Sequence, residues 1–321
     1  MAAFFIMSNI ALIYMGGTFG CVGEPLSPMP EDQFLPHLKS NVCDCFAAPS
    51  IKDSSSYTAT DWLQLVQFIQ EKQKNYTDFI VIHGTDTLSY ASAVLARFLA
   101  QSCRVIITGS QYPLLNPQGT AVRDFTDAQD NLNFAIQQIK QVNKGVYLAF
   151  HQQLFHGRTA LKIHTTELDA FSGLNTQEII AFDQTHTITD HDIARSKSLN
   201  IANLMMQPIG LEQLQQNLNA FTTAPPHFLI LQGFGTGNLV TNTAITQTLQ
   251  QLKHQNCLPI LTTQVTFGGI DQRYAVSAWV KEMQIITTDT LGHADLYAKL
   301  LQLYLQYEHA EQWYTHWSDF V

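Results

Sequence analysis

The sequence predicts an α/β protein: a larger N-terminal doubly wound domain on a mainly parallel sheet, followed by a smaller C-terminal α/β domain. Three observations predict it. Short apolar runs rich in β-branched and aromatic residues alternate with amphipathic stretches of helical period, and unbroken runs of this kind suit strands buried on both faces. The chain has 321 residues, a length at which one core usually divides into two. Between two such alternating series lies FDQTHTITDHDIARSKS, polar and charged, with no apolar run.

The run from Ile10 to Met15 is the first strand. The residues before it imitate a secretory leader, but they lack a cationic start and the apolar run leads into glycines, so a buried strand in a cytoplasmic protein is expected, with Met7 as an alternative start. Thr58-x-x-Asp61 is a capping box opening a helix whose Trp62, Val66 and Ile69 share one face. Phe79 to His83 is the next strand, followed by a helix with Val94, Leu95, Phe98 and Leu99 on one face. Val105 to Thr108, a helix bearing Leu132, Ile136 and Ile139, and Val146 to Phe150 continue the alternation. The expected boundaries are 1–181 for the first domain, 182–198 for a linker and 199–321 for the second. In the second, strands are expected at Ile201 to Met206, Phe228 to Leu231 and Pro259 to Thr262, with helices near Leu211 to Leu218, Thr241 to Leu252 and Ala294 to Leu305.

Composition narrows the partners. Seventeen Lys and Arg against twenty-six Asp and Glu give a formal charge of −9, without a basic cluster, which argues against nucleic acid or an anionic membrane. No run approaches the roughly 18 apolar residues of a membrane-spanning helix. A small ligand is expected instead. The five cysteines lack paired C-x-x-C spacing and read as reduced thiols, with Cys43-Asp44-Cys45 in a loop. His151 and His156, and His186 and His191, are each five apart, off the i, i+4 spacing of a helical metal pair, so no metal is expected. Gly233-Phe234-Gly235-Thr236-Gly237 lacks the full dinucleotide spacing, and no cofactor is expected.

In open parallel sheets ligands bind beyond the carboxyl ends of the strands. There the chain carries Gly16-Gly17-Thr18-Phe19-Gly20, His83-Gly84-Thr85-Asp86-Thr87 and Gly109-Ser110-Gln111, with Asp53-Ser54-Ser55-Ser56 just before the capped helix. Hydroxyls converging without His, Cys or metal spacing point to attack by Thr or Ser. Each segment alone reads equally as a turn, and Thr85-Asp86-Thr87 as a helix cap.

Together, Ile13 to Gly20 and Val81 to Leu88 resemble the two signatures of the bacterial-type L-asparaginase family, in order and separation. Asp53-Ser54-Ser55, Thr108 to Gln111, Lys162 with His164-Thr165, Asp169-Ala170-Phe171, Gly233 to Asn238 and Thr263-Gln264 extend the resemblance over nearly the whole chain, closest to the cytoplasmic type I branch. The resemblance implies an amidohydrolase that converts L-asparagine to L-aspartate and ammonia. Thr18 would be the nucleophile, with Thr85, Asp86 and Lys162 as a hydrogen-bonded set. Ser54, Ser55, Gly84, Asp86 and Gln111 would bind substrate. A homodimer or homotetramer is implied, with the site completed by the small domain of a neighbouring subunit. Three alternatives share the motifs: a glutaminase-asparaginase, the ammonia-supplying subunit of an archaeal-type tRNA amidotransferase, and a non-catalytic amino-acid-binding relative. One departure stands out: the family has a Tyr some ten to thirteen residues after the first Thr, whereas no Tyr lies between Tyr14 and Tyr57. Two readings of the intervening loop, Cys21 to Pro30, stand open: Glu24 is a solvated loop carboxylate, or the loop closes over bound substrate with Glu24 or an ordered water in place of the phenol and Ser27 as a further proton acceptor.

Overall fold

The computed structural model describes residues 10–39, 41–174, 185–266, 268–271, 278–288 and 291–320. The chain divides into two units, Met1–Lys197 and Ser198–Val321. In the first, the elements in order are β1 (Ile10–Tyr14), β2 (Cys21–Val22), β3 (Ser27–Pro28), α1 (Glu31–Leu38), β4 (Cys43–Ala47) and α2 (Ala59–Lys72). There follow β5 (Asp78–Ile82), α3 (Leu88–Leu99), β6 (Arg104–Thr108), α4 (Ala128–Gln138), β7 (Gly145–Phe150), β8 (Gln153–His156), β9 (Leu161–Lys162), β10 (Phe171–Ser172) and α5 (Asp190–Ser196).

Six strands form one sheet in the order β4-β1-β5-β6-β7-β8. Every pairing is parallel except β7 with β8. The central strands β1 and β5 are buried at every position, the physical reason their sequences show no polar alternation. On one face Leu12, Tyr14, Ile80, Ile82 and Ile106 pack with Phe34 and Leu38 of α1 and Leu132 and Ala135 of α4. Helices α2 and α3 pack together, with α3 against β6 and β7. The capping box opens α2 as expected: Thr58 N donates to Asp61 Oδ2 at 2.9 Å.

Two features depart from the sequence reading. Cys43 and Cys45 lie on the edge strand β4, in register with Ile10 and Leu12, not in a loop; Cys43 is in the core, whereas Asp44 is exposed and accepts from the Tyr76 hydroxyl at 2.9 Å. The segment 182–198, expected as a linker, contains α5, which packs on α2 within the first unit. Polar groups do the joining there. Gln70 donates to His186 O at 2.7 Å and accepts from Ile188 N at 3.0 Å, and the Thr189–Asp192 capping box opens the helix. Residues 1–9, with the alternative start Met7, lie outside the described residues.

The second unit contains β11 (Ile201–Met205), α6 (Leu211–Thr223), β12 (Phe228–Gly233), α7 (Thr243–His254), β13 (Leu258–Thr263), α8 (Ala278–Glu282), β14 (Ile286–Thr287), α9 (His293–Gln306) and α10 (Ala310–Thr315). Its sheet, β11-β12-β13-β14, is parallel throughout. Leu229, Leu231 and Leu261 pack against Leu214 and Leu218 of α6 and Ile245, Leu249 and Leu252 of α7. Trp313 of α10 is fully buried beside Phe228, with ring centroids 4.6 Å apart. At the carboxyl ends of these strands Gln264 donates to Met206 O at 2.7 Å and to Gln232 O at 3.0 Å, tying three strand ends together. None of the described helices is long and apolar enough to cross a membrane.

At the amino ends of β5 and β6, buried Asp78 is held by both Arg104 and Lys140. Burial pushes its carboxyl up, but the two hydrogen-bonded cations outweigh this and hold it below the usual carboxylate range. A lowered folded-state value means that its stabilisation is fully present above the unfolded-state value of about 3.9 and is lost as pH falls through the folded-state value. Asp78→Asn leaves two cations without their shared anion and should cost about 3 kcal/mol at pH 7. Denaturant unfolding checks this, and an Asn variant as stable as the wild type at pH 7 contradicts it.

Candidate active site

The first three central strands end side by side, and the segments leaving β1, β5 and β6 form the candidate site. After β1 the backbone passes through Gly16 and Gly17, at φ +94° and +83°, into a 3-10 turn over Thr18–Gly20. After β5 it passes through His83 and Gly84. The two crossings nearly touch: a Cβ on Gly17 would lie 2.3 Å from Gly84 Cα and 2.6 Å from Gly84 N. A Cβ on Gly84 would meet Ser54 Oγ at 2.5 Å. Glycine at 17 and 84 is therefore a spacing requirement: three chain segments meet where no side chain fits.

This contact carries Thr18 on one segment and Thr85-Asp86 on the next. Thr18 is half-buried, and its hydroxyl makes no hydrogen bond to another described residue. Thr85 is buried while Asp86 is exposed. Lys162, at the end of β9, reaches both: its Nζ donates to Thr85 Oγ1 at 3.0 Å and to Asp86 Oδ1 at 3.3 Å. Its backbone is fixed in turn, with Lys162 N donating to Ser89 Oγ of α3 at 3.1 Å and β9 paired to β10. The Thr85 hydroxyl, approached by the lysine, donates to Gln111 Oε1 at 3.4 Å. Thr87 does not cap α3; its hydroxyl donates to Ser54 O at 2.7 Å and anchors the serine turn to this segment.

The residues expected to bind substrate fare unequally. Ser54 is buried against Gly84. Ser55 is exposed, and its N–H and hydroxyl both donate to Asp53 Oδ1 within its own turn; these bonds hold the Asp53 carboxyl below the usual range. The Gln111 side chain is fixed from both sides, its Nε2 donating to Thr165 O at 3.2 Å and Glu167 O at 2.9 Å. Sequence reasoning missed what holds that segment. Asp127 accepts from Gln111 N at 2.9 Å and Tyr112 N at 2.9 Å, while Asn131 donates to Gly109 O at 3.0 Å. The i, i+4 pair Asp127 and Asn131 on one helical face was the available signal.

The loop expected to cover Thr18 is a two-stranded hairpin, β2 with β3. Glu24 is exposed near its tip and forms no hydrogen bond to another described residue; the Ser27 hydroxyl donates to Val22 O at 3.4 Å. Neither bonds to Thr18. In the hairpin Val22 packs against the core, and the Cys21 thiol donates to Gly17 O at 3.4 Å. Burial, and then the charge of Asp53, push that thiol up from its ordinary value. Among the described residues no group of three or more His, Cys, Asp and Glu is arranged to hold a metal ion.

The fold and these segments define a two-unit α/β protein with a threonine on a glycine crossing beside a Thr–Asp–Lys cluster. Residues 9–195 match the family model described as asparaginase, N-terminal, and the chain belongs to the asparaginase family. It is similar to an L-asparaginase of Dirofilaria immitis, 29% identical over 73% of this chain and 40% of that protein. Similarity to a 60 kDa lysophospholipase of Mus musculus is 30% over 70% of this chain and again 40% of that protein. The chain thus spans about two fifths of the length of these curated relatives. With L-asparaginase 1 of Escherichia coli K12 it shares 26% identity over 82% of this chain and 81% of that one. The solved structure of L-asparaginase I from Vibrio cholerae superposes with a TM-score of 0.76, covering 95% of both chains at 22% identity, a likeness of fold.

The glycine crossing makes a direct prediction. Gly17→Ala meets backbone and should destabilise the first unit by more than the roughly 1–3 kcal/mol of ordinary overpacking. Gly84→Ala meets a serine side chain, so Gly84→Ala with Ser54→Gly should regain most of the stability lost in Gly84→Ala alone. Thermal unfolding of the four proteins reads this; a Gly17→Ala variant with the wild-type midpoint contradicts it.

Proposed function

We propose that this chain hydrolyses the side-chain amide of L-asparagine to L-aspartate and ammonia, with Thr18 as nucleophile. The observation that carries the reading is the Lys162 ammonium bridging Thr85 Oγ1 at 3.0 Å and Asp86 Oδ1 at 3.3 Å beside the Gly17–Gly84 crossing. Family membership and the named L-asparaginase relatives support the substrate class.

In this reading the Thr18 oxygen attacks the amide carbon, and the Thr18 proton passes to the Thr85 oxygen as the Thr85 proton goes on to the departing nitrogen. A threonine hydroxyl is a weak nucleophile until a neighbour accepts its proton. Lys162 supplies positive charge where Thr85 takes on negative charge, and Asp86 balances the lysine. Gly84 N–H and Thr85 N–H make no hydrogen bond to another described residue, so they are available to the oxygen that becomes an oxyanion. Ammonia leaves, and water then cleaves the Thr18 ester and returns its proton. The Asp86 carboxylate suits the substrate ammonium, and Ser54 and Gln111 the substrate carboxylate end; Ser55 acts through Asp53. The setting we propose is a cytoplasmic homodimer or homotetramer acting on a small amino-acid amide, with the Gly235 to Asn238 turn facing a neighbouring subunit's site.

Purified protein is assayed for ammonia release from asparagine, glutamine and buffer alone. Asparagine should be turned over; one methylene distinguishes glutamine by about 1–3 kcal/mol in a pocket of this kind. Thr18→Ala should lower turnover by roughly 10⁴ or more, the scale set by removal of a covalent nucleophile. Lys162→Met should lower it by about 10² or more with a smaller change in KM. A Thr18→Ala protein with wild-type ammonia release contradicts the mechanism.

A further inference from the structure

The steps above give His83 no task, yet it stands at the end of β5 immediately before Gly84. Its side chain is completely buried. Trp62 Nε1 lies 3.3 Å from His83 Nε2, and an indole N–H can only donate. Nε2 therefore carries no hydrogen, the proton of the neutral ring sits on Nδ1, and Nδ1 donates to Gly84 O at 2.8 Å. Burial takes the imidazole down to about 4, the Gly84 bond opposing it, so the ring stays neutral at ordinary pH. The Tyr57 ring packs on it with centroids 4.9 Å apart, and the Tyr57 hydroxyl is tied to Met15 O and Ser50 O. The imidazole is thus fixed in place, in protonation and in tautomer.

What it holds is one peptide unit. Gly84 C=O and Thr85 N–H belong to the same trans peptide and point in opposite directions. A carbonyl drawn towards the buried imidazole turns the Thr85 N–H away from the core. Gly84 is a glycine because Gly17 and Ser54 leave no room for a Cβ, and a glycine is the residue whose flanking peptides rotate most freely. The spacing requirement therefore removes a restraint that the imidazole restores.

We propose that His83, its tautomer set by Trp62, is a positioning residue that locks the Gly84–Thr85 peptide with the Thr85 N–H directed at the substrate carbonyl oxygen as it becomes an oxyanion. The role rests on the amidohydrolase reading.

Two amide substitutions separate positioning from packing. His83→Asn places an amide nitrogen near the Nδ1 position and keeps a donor for Gly84 O; His83→Gln places its amide near Nε2 and loses that donor. Ammonia release from asparagine and thermal midpoints are measured for both and for Trp62→Phe. Removing an oxyanion donor costs about 10²–10³ in kcat, and letting one rotate costs less. His83→Asn should keep kcat within about threefold of wild type, while His83→Gln loses about tenfold or more with KM changed by less than about threefold. Trp62→Phe, which frees the tautomer, should fall between them. Equal losses in the Asn and Gln variants, full kcat in the Gln variant, or a loss confined to KM overturns the proposal. Nitrogen-15 shifts of His83 in the wild type should show a protonated Nδ1; a protonated Nε2 overturns it even where the variants fail to fold. A wild type that releases no ammonia from asparagine or glutamine overturns the activity reading and this role together, whereas an active wild type with equally impaired variants overturns only the role of His83.

Discussion

The near-contact of Gly17 with Gly84 is the constraint on which the rest of the site depends. Strands β1 and β5 are parallel neighbours, with Tyr14 opposite Ile82, so the segments leaving them start side by side. They converge only because neither carries a side chain at the crossing, and the serine turn before α2 closes on the same point. Everything chemical is arranged around it. Thr18 follows Gly17, Thr85 follows Gly84, and Ser54 packs against Gly84 while its carbonyl accepts from Thr87. A parallel sheet thereby brings residues far apart in the sequence to one edge with little further machinery.

Around this crossing, charge is distributed unevenly. The imidazole beneath the segment is neutral and buried, whereas the cation, Lys162, approaches from β9 and remains partly accessible. Lys162 and Asp86 form an ion pair at the rim, and such an exposed pair contributes little to folding. Its value lies in holding an ammonium group against the Thr85 hydroxyl. The pieces that keep it there are ordinary: a backbone bond to Ser89, a two-residue ladder with β10, and a glutamine side chain clamped by two carbonyls. The positioning is done by neutral hydrogen bonds and close packing, and the charge is left to Lys162 and Asp86.

The sequence made the central strands legible because a strand buried on both faces must be apolar at every position, as β1 and β5 are. Elements that do not meet this condition escaped it. Strand β4, Cys-Asp-Cys-Phe-Ala, is fully buried only at Cys43, exposed at Asp44 and half-buried beyond, and reads as a loop; β8 is a four-residue antiparallel edge. Helix α5 is joined to α2 by side-chain hydrogen bonds, Thr60 to Ser196 and Gln67 to Asp190, so its sequence looks like a linker. The candidate site was legible to the extent that its chemistry is local in sequence. Thr85 and Asp86 lie in one motif, and Lys162 was placed beside them by family resemblance. The supports were not legible: Asp127 serves residues fifteen and sixteen positions away, and Trp62 meets His83 across two elements. Ser55 illustrates the converse, since its motif position suggested substrate binding whereas its hydroxyl is bound within its own turn. Of the two readings of Glu24, a closing carboxylate and a solvated one, the first rested on proximity in sequence; in the hairpin Glu24 is exposed near the tip and the Cys21 thiol bonds to Gly17 O.

The central claim is that the crossing exists to present Thr18 as the group that becomes acylated. Rapid acid quenching of the wild-type protein during turnover of asparagine, followed by peptide mass analysis, tests it most directly. The account predicts an aspartyl ester on the peptide that contains Thr18 and an unmodified peptide containing Thr85. An aspartyl adduct on Thr85, or steady ammonia release with no adduct on either threonine after acid quenching and no aspartyl hydroxamate formed when hydroxylamine is present during turnover, would contradict it.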